Sequence, residues 1–168
     1  MLPFYFSGSI DTITNAFFET MSGFTTTGAT ILDDIESLSH GMLFWRSLTQ
    51  WIGGLGIVFF TIAILPIFTT GGVQLFSAES TGVTHDRTHP KINVMAKWLW
   101  TIYLVLTVSE TVLLMFGGMS LFDAICQSFA TTATGGYSTK QNSISYWNSP
   151  YIESVSYTHL TLPTTSRV

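Results

Sequence analysis

The sequence predicts an all-α integral membrane protein built from repeated units of helix, re-entrant loop and helix. Of its 168 residues 46% are hydrophobic and 10% are charged, whereas soluble domains carry about 25% charged residues. A charge-free run, residues 47–78, is long enough to cross a bilayer. Two Thr/Gly-rich turns, residues 23–30 and 131–138, each follow a short amphipathic segment and lie beside a long apolar run. Together these features indicate irregular backbone held at membrane depth.

The first unit, residues 1–40, contains a short helix predicted over residues 9–24. Its apolar residues follow one helical face: Ile10, Ile13, Ala16, Phe17, Met21 and Phe24. About 15 residues are too few to cross a 30 Å hydrocarbon core, so we expect a re-entrant helix. Ser9, Asp11 and Thr12 are the expected capping residues.

A first span is predicted over residues 41–72, with Pro66 near its end as a terminating kink. The polar loop that follows, residues 73–97, carries half of the six basic residues of the chain. By the positive-inside tendency this loop is cytoplasmic, so residues 1–40 face outward. His85 and His89 have a metal-like spacing, but Pro90 follows at once and no metal site is expected there.

The second half repeats the design of the first. A span over residues 98–118 begins with the interfacial aromatics Trp98, Trp100 and Tyr103. The unit 119–154 then holds a second short helix over residues 121–131, and Ser120 with Asp123 resembles a capping box at its start.

The two Thr/Gly turns can be aligned in two registers. A shift of 107 residues pairs Gly28 with Gly135, and a shift of 108 pairs Gly28 with Gly136. Both remain open from the sequence. Thr-Gly backbone at membrane depth can turn carbonyl oxygens toward a bare cation, and irregular backbone persists in a bilayer only where it lines a cavity or is buried in protein. Helix caps are the simpler explanation of each turn alone, but the repetition favours permeation.

Composition excludes several function classes. A net charge of -4 without a basic tract gives nucleic acid nothing to bind. The single cysteine, Cys126, excludes an internal disulfide and is expected to be a small buried side chain. Glu110 is the one charge inside the second span, where it is a functional candidate or a hydrogen-bond partner of the adjacent short helix. As the only expected buried ionisable group, it has no partner for catalysis, so no enzyme is predicted.

Other polar or small residues have two interpretations each. Arg46 at the outer boundary of the first span can snorkel or pair with an acidic residue. The acidic residues Asp33, Asp34 and Glu36 can concentrate cations or simply form a solvated loop. Glycines at positions 53, 54 and 56 can form a flexible gate or allow close helix packing, and packing is favoured.

Three linked motifs carry a family resemblance. Residues 21–29, 46–57 and 130–139 are similar to the first filter, the first inner helix and the second filter of the TrkH/KtrB potassium transporters, and the resemblance covers residues 7–153. It implies a fragment of a four-repeat cation channel fold in a bacterial-type inner (plasma) membrane, crossing it several times. The chain then holds the first pore loop and inner helix, and the second outer helix and pore loop.

The resemblance also implies a function and partners. Backbone carbonyls of the two loops would hold K⁺ as the transported ion, and no cofactor is implied. The implied filter residues are Thr26, Thr27, Gly28, Ala29, Thr134, Gly135, Gly136 and Tyr137. Glycine at position 28, where some sodium-carrying relatives have serine, resembles the potassium pattern. The implied partners are the lipid bilayer, the remaining repeats, a second copy in a homodimer and a TrkA-type cytoplasmic nucleotide-binding subunit.

Alternatives are a Na⁺-permeable or non-transporting relative and, least favoured, a membrane-embedded enzyme. The polar tail, residues 155–168, resembles translated adaptor or vector sequence and is expected to lie outside the fold.

Overall fold

The computed structural model describes residues 1–77 and 92–161, whose regular structure is entirely helical. The helices, in chain order, are α1 Leu2–Phe6, α2 Ile13–Phe24, α3 His40–Ser77, α4 Ile92–Phe116, α5 Leu121–Thr132, a 3-10 helix Ser143–Trp147 and α6 Pro150–Thr161. Helix α5 packs against both α3 and α4, α2 packs against α3, and α6 packs against α4 and α5.

The two short helices match in length, with 12 residues in each of α2 and α5. Helix α5 begins as the sequence predicts, because the Ser120 hydroxyl accepts a hydrogen bond from the Asp123 amide over 3.1 Å. Helix α2 begins at Ile13 rather than at residue 9. Thr12 is its N-cap, but the side chain makes no capping hydrogen bond. Of the three expected capping residues, Thr12 is thus the N-cap without a side-chain hydrogen bond, and the expectation is wrong for Ser9 and Asp11.

The long helices extend beyond their predicted ends. Helix α3 runs through Pro66 to Ser77, and α4 already starts at Ile92. The predicted loop over residues 73–97 was too long, because residues 73–77 and 92–97 contain no glycine or proline that would end a helix. His85 and His89 lie outside the described residues.

One segment in the described part of the chain, Ala96–Phe116 of α4, is long and apolar enough to cross a membrane, with a mean hydropathy of 1.8. Helix α3, with 38 residues, is about 57 Å long at 1.5 Å per residue. Both helices have the length that a bilayer-spanning element needs.

The short helices bury polar and small side chains and expose large apolar ones. On α2, Ala16, Glu19 and Thr20 are buried, whereas Ile13 and Phe17 are more than half exposed. Soluble proteins bury their apolar residues and expose charged ones. The reversed arrangement indicates that this apolar surface faces lipid or further protein.

Helix α6 contradicts one expectation about the tail. Ile152 and Val155 on α6 join a buried cluster with Leu114, Met119 and Ala124. The expectation that residues 155–168 lie outside the fold is wrong for residues 155–161, because Val155 continues the apolar face that Ile152 begins one turn earlier. Residues 162–168 are outside the described part, and the adaptor origin of the tail stays a prediction.

Candidate functional site: two paired loops

The loops after α2 and α5 have the same backbone conformation at a spacing of 108 residues. Thr26 and Thr134 both have φ of 55°, and Gly28 and Gly136 have φ of 75° and 83°. Left-handed conformations are uncommon for threonine and ordinary for glycine. Two such pairs at one spacing show that the loops repeat a single structure.

The hydrogen bonds at the ends of the two helices repeat with the same spacing. In the first unit, the Thr26 amide donates to the Gly23 carbonyl and the Thr27 amide to the Ser22 carbonyl, both at 3.0 Å. In the second unit, the equivalent bonds run from Thr134 to Thr131 and from Gly135 to Ala130, both at 2.8 Å. The structure therefore selects the 108-residue register. Gly136, and not Gly135, is equivalent to Gly28.

Three glycines fill three different roles where the loops meet. Gly28 lies against the carbonyl oxygen of Gly135, so a side chain at position 28 would overlap the second loop. Gly135 lies against the amide side chain of Gln50, and Gly136 faces open space. Contact between the loops thus depends on glycine at position 28, and contact of the second loop with Gln50 depends on glycine at position 135. Backbone conformation alone requires glycine at position 136.

Carbonyl oxygens in both loops are free of internal partners. Among the described residues, no hydrogen bond ends on the carbonyl oxygens of Thr26, Thr27, Gly28, Thr134, Gly135 or Gly136. Ala29 differs, because its carbonyl accepts hydrogen bonds from the Ser22 hydroxyl at 2.6 Å and the Tyr137 hydroxyl at 3.2 Å. Of the first predicted filter segment, the free carbonyls are therefore those of residues 26–28, and Ala29 turns its carbonyl into the protein.

Gln50 connects α3 to the second loop. Its Oε1 accepts a hydrogen bond from the Tyr137 amide at 3.1 Å, and its Nε2 is buried without a partner in the described part of the chain. Gln50 was not predicted as a site residue from the sequence. The available signal was its position one turn after Arg46, in a stretch with few other large polar side chains.

A buried ion pair lies behind the loops. Arg46 Nε donates to Glu19 Oε1 at 2.7 Å, and both side chains are at most 2% exposed. The Glu19 carboxylate also accepts from the Ile31 amide at 3.0 Å, and Arg46 Nη1 donates to the Ser138 carbonyl at 3.3 Å. These extra hydrogen bonds compensate the charges for the loss of water.

This ion pair corrects two sequence-based expectations. Glu110 is not the only buried ionisable group, because Glu19 and Arg46 are buried too. Of the two interpretations of Arg46, pairing with an acidic residue is confirmed and snorkelling is wrong. Glu19 was missed. It is the one charged residue in the sequence of α2, and that isolation was the signal.

Tyr137 joins this pair to both loops. The Arg46 guanidinium lies 3.9 Å from the centre of the Tyr137 ring. The Tyr137 hydroxyl is within hydrogen-bonding distance of the Glu19 carbonyl at 3.1 Å and the Ala29 carbonyl at 3.2 Å. One residue of the second loop thus contacts α2, α3 and the end of the first loop.

Glu110 lies apart from the ion pair, at the contact of α4 with α5. Its carboxylate accepts a hydrogen bond from the Thr132 hydroxyl at 3.4 Å, as expected for a partner of the adjacent short helix. The other carboxylate oxygen, Oε1, is buried and has no hydrogen-bond partner among the described residues.

The glycines of α3 show the expected close packing at two of three positions. Gly53 lies against the backbone of Phe24 at the end of α2, and Gly54 lies against Tyr103 and Ala133. Gly56 has no neighbour within 4 Å. The close approach at Gly53 and Gly54 brings both loops against α3.

Polar contacts also join the segments that follow the two loops. Lys140 Nζ lies 3.4 Å from the Glu36 carboxylate, and Gln141 Nε2 donates to the Asp33 carbonyl at 2.9 Å. Asp33, Asp34 and Glu36 are exposed, while Cys126 is buried as predicted.

Neutral oxygens are the ligands that this site offers. Within residues 1–77 and 92–161, no group of three His, Cys, Asp or Glu side chains could hold a metal ion. The free groups at the loops are main-chain carbonyls, which can replace the hydration shell of an alkali cation.

Two helix–loop units packed against long apolar helices define an all-helical membrane protein of the repeated pore-loop class. A family model described as "TrkH: Cation transport protein" matches residues 2–165. The chain therefore belongs to the TrkH family of cation transport proteins.

Individual relatives agree with this assignment. The chain is 52% identical over 156 residues to the Trk system potassium uptake protein TrkH of Escherichia coli K12, covering 92% of this chain and 32% of the relative. It is 40% identical over 145 residues to TrkG of the same organism, covering 86% and 30%. The chain spans about a third of the length of these curated relatives.

A solved structure shows the same fold. The crystal structure of the potassium transporter TrkH from Vibrio parahaemolyticus matches with a TM-score of 0.75 and 39% sequence identity, over 90% of this chain and 29% of that one. The fold is thus part of a larger membrane transporter fold.

Proposed function

We propose that this chain forms part of a potassium uptake protein in which the paired loops hold the permeating ion. The observation that carries the proposal is the repeated backbone of the two loops, with Gly28 and Gly136 in equivalent positions and free carbonyls before each glycine. A dehydrated alkali cation needs several oxygen ligands at once. Two loops supply part of such a ring, so the remaining repeats of a longer transporter would supply the rest.

Helix geometry supports the same function. The C-terminal ends of α2 and α5 lead directly into the loops, and a helix C-terminus carries about half a negative elementary charge. Both helices thus place a favourable potential beside the free carbonyls. Glycine at position 28 and the potassium uptake named for the relatives favour K⁺ over Na⁺ as the transported ion.

The setting and partners belong to the same proposal. We assign α3 and α4 as two of several spans in a bacterial-type inner (plasma) membrane. A homodimer and a TrkA-type cytoplasmic nucleotide-binding subunit are the proposed protein partners. The loop where such a subunit would approach, residues 78–91, lies outside the described residues.

The test uses a hybrid transporter, in which residues 1–154 of this chain replace the matching segment of full-length Escherichia coli TrkH. We expect the hybrid to restore growth at low potassium to a strain that lacks its own potassium uptake. Gly28→Ser should reduce K⁺ uptake strongly and lower the preference of the remaining uptake for K⁺ over Na⁺. An inactive hybrid that is nevertheless abundant and folded in the membrane contradicts the proposal.

The same measurement decides among the alternatives. A Na⁺-permeable relative would take up both ions equally in the unmodified hybrid, and a non-transporting relative would take up neither. Glu19 and Arg46 provide no support for a membrane-embedded enzyme, because they pair with each other and with loop backbone.

A further inference from the structure

We propose that the Tyr137 hydroxyl positions the first loop, by holding the Ala29 carbonyl away from the ion pathway, and that discrimination between K⁺ and Na⁺ depends on it. This inference rests on the proposed function. It assigns a role to a side chain of the second loop in shaping the first, so the two loops act as one unit.

The carbonyl of Ala29 marks the point where the first loop leaves the pathway. Residues 26–28 carry free carbonyl oxygens, whereas the Ala29 oxygen accepts hydrogen bonds from Ser22 at 2.6 Å and from Tyr137 at 3.2 Å. A carbonyl oxygen has two lone pairs, so it can accept from both hydroxyl groups at once. The Ala29 oxygen is thus directed into the protein, which fixes the peptide unit between Ala29 and Thr30 and thereby restricts the rotation of the neighbouring Gly28 peptide.

The Tyr137 ring is itself firmly held. The side chain is buried, with 2% of its surface exposed, and the Arg46 guanidinium covers one ring face at 3.9 Å. Gln50 accepts a hydrogen bond from the Tyr137 amide. Contacts with α3 therefore fix both the ring and the backbone of Tyr137. The fixed hydroxyl in turn holds the Ala29 carbonyl by a hydrogen bond.

The hydroxyl hydrogen is shared between two acceptors. The Glu19 carbonyl is at 3.1 Å and the Ala29 carbonyl at 3.2 Å from the same oxygen, and a phenol has one hydrogen to donate. The hydroxyl thus connects the short helix of the first unit with the end of its loop. Without it, the Ala29 carbonyl keeps one donor, Ser22, and its peptide gains freedom to rotate.

The test compares Tyr137→Phe with a matched control in the hybrid transporter. Tyr137→Phe removes the hydroxyl and keeps the ring beneath Arg46. Tyr146→Phe makes the same chemical change on an exposed side chain in the 3-10 helix. We expect Tyr137→Phe to lower the K⁺/Na⁺ uptake ratio about two- to ten-fold, the range that corresponds to one hydrogen bond, while Tyr146→Phe leaves it unchanged.

A second variant strengthens the test. Ser22→Ala removes the other donor to Ala29, and the double variant should show a larger loss of discrimination than either single change. The membrane abundance of each variant and the KM for K⁺ separate selectivity from folding. An unchanged K⁺/Na⁺ ratio in both Tyr137→Phe and the double variant, or equal loss of K⁺ and Na⁺ uptake, overturns this role while leaving the proposed function intact. Lack of K⁺ uptake by the unmodified hybrid overturns both.

Discussion

At the scale of single residues, the loops show why glycine at one position is not equivalent to glycine at the next. Position 28 combines a left-handed backbone with direct contact to the Gly135 carbonyl, and position 136 has the backbone conformation without the contact. Substitution at position 28 therefore carries two costs, conformational strain and overlap with the second loop.

Gly28→Ala is expected to abolish most potassium uptake by the hybrid transporter. The left-handed strain of an alanine is about 1–2 kcal/mol, and the overlap of the new methyl group with Gly135 adds to it. Gly8→Ala is the matched control, because Gly8 also has a left-handed φ of 67° but no neighbour within 4 Å. Uptake of radioactive rubidium by both variants separates the two costs. Equal effects at positions 8 and 28 would show that the loops do not touch.

Arg46→Met is expected to destabilise the protein by about 3–5 kcal/mol, because it leaves the Glu19 carboxylate buried without its counter-charge. Adding Glu19→Gln should recover part of this loss, since the uncompensated charge is then removed. The control is Lys140→Met, whose partially exposed pair with Glu36 contributes about 0–1 kcal/mol. Thermal unfolding of the purified hybrid in detergent measures all of these variants. Additive effects of the Arg46 and Glu19 changes would contradict the pairing.

At the scale of helices, the position of the loops depends on how closely α3 approaches α2 and α5. Gly53 contacts the backbone of Phe24, and Gly54 contacts Ala133 at the start of the second loop. The absence of side chains on these two residues allows helix backbones to come into contact, as small residues do in membrane proteins generally. The geometry of both loops is therefore set by one face of α3.

Gly53→Ala should separate α3 from the end of α2 and reduce potassium uptake strongly. Gly56→Ala, in the same helix, should leave uptake unchanged, because in the described part of the chain no atom of another element lies within 4 Å of the added methyl group. It can even stabilise α3 by up to about 1 kcal/mol, the difference in helix propensity between alanine and glycine. Rubidium uptake and the Tm of the two hybrids provide the comparison. If Gly56→Ala were the more harmful change, a gating role for this glycine would replace the packing role.

At the scale of the whole molecule, a polar interior is enclosed by apolar side chains. Buried residues include Glu19, Arg46 and Gln50, whereas Phe17 of α2 and Val105 of α4 are more than half exposed. The contacts of Glu36 with Lys140 and of Gln141 with Asp33 close the outer end of the two units. This arrangement is stable where the outer surface meets lipid and further repeats.

The proposed orientation predicts which positions water-soluble reagents reach. A cysteine in place of Ser37, which is exposed beside the acidic loop, should react with a membrane-impermeant maleimide added outside intact cells. A cysteine in place of Thr84, in the predicted cytoplasmic loop, should react only after the membrane is permeabilised. Cys126 is buried and serves as the unreactive background. Labelling of Thr84→Cys from outside would reverse the assigned topology.

The sequence by itself determined the class of fold, the two long helices, the repeated Thr/Gly turns and the cap at Ser120. These features depend on composition and on residues within a few positions of one another, where local preferences act directly. The ends of α3 and α4 were predicted less accurately, because a helix continues until it reaches a residue that ends it.

Tertiary structure alone decided the 108-residue register, the pairing of Glu19 with Arg46, the place of Gln50 and the direction of the Ala29 carbonyl. Each depends on contacts between residues that are remote in sequence, such as Tyr137 with Ala29. A periodic pattern contains no information on such distances. The buried polar contacts could not be predicted from the sequence for the same reason. An isolated charge in a short helix, such as Glu19, indicates that a buried partner is needed. Only the packing of α2 on α3 identifies this partner as Arg46.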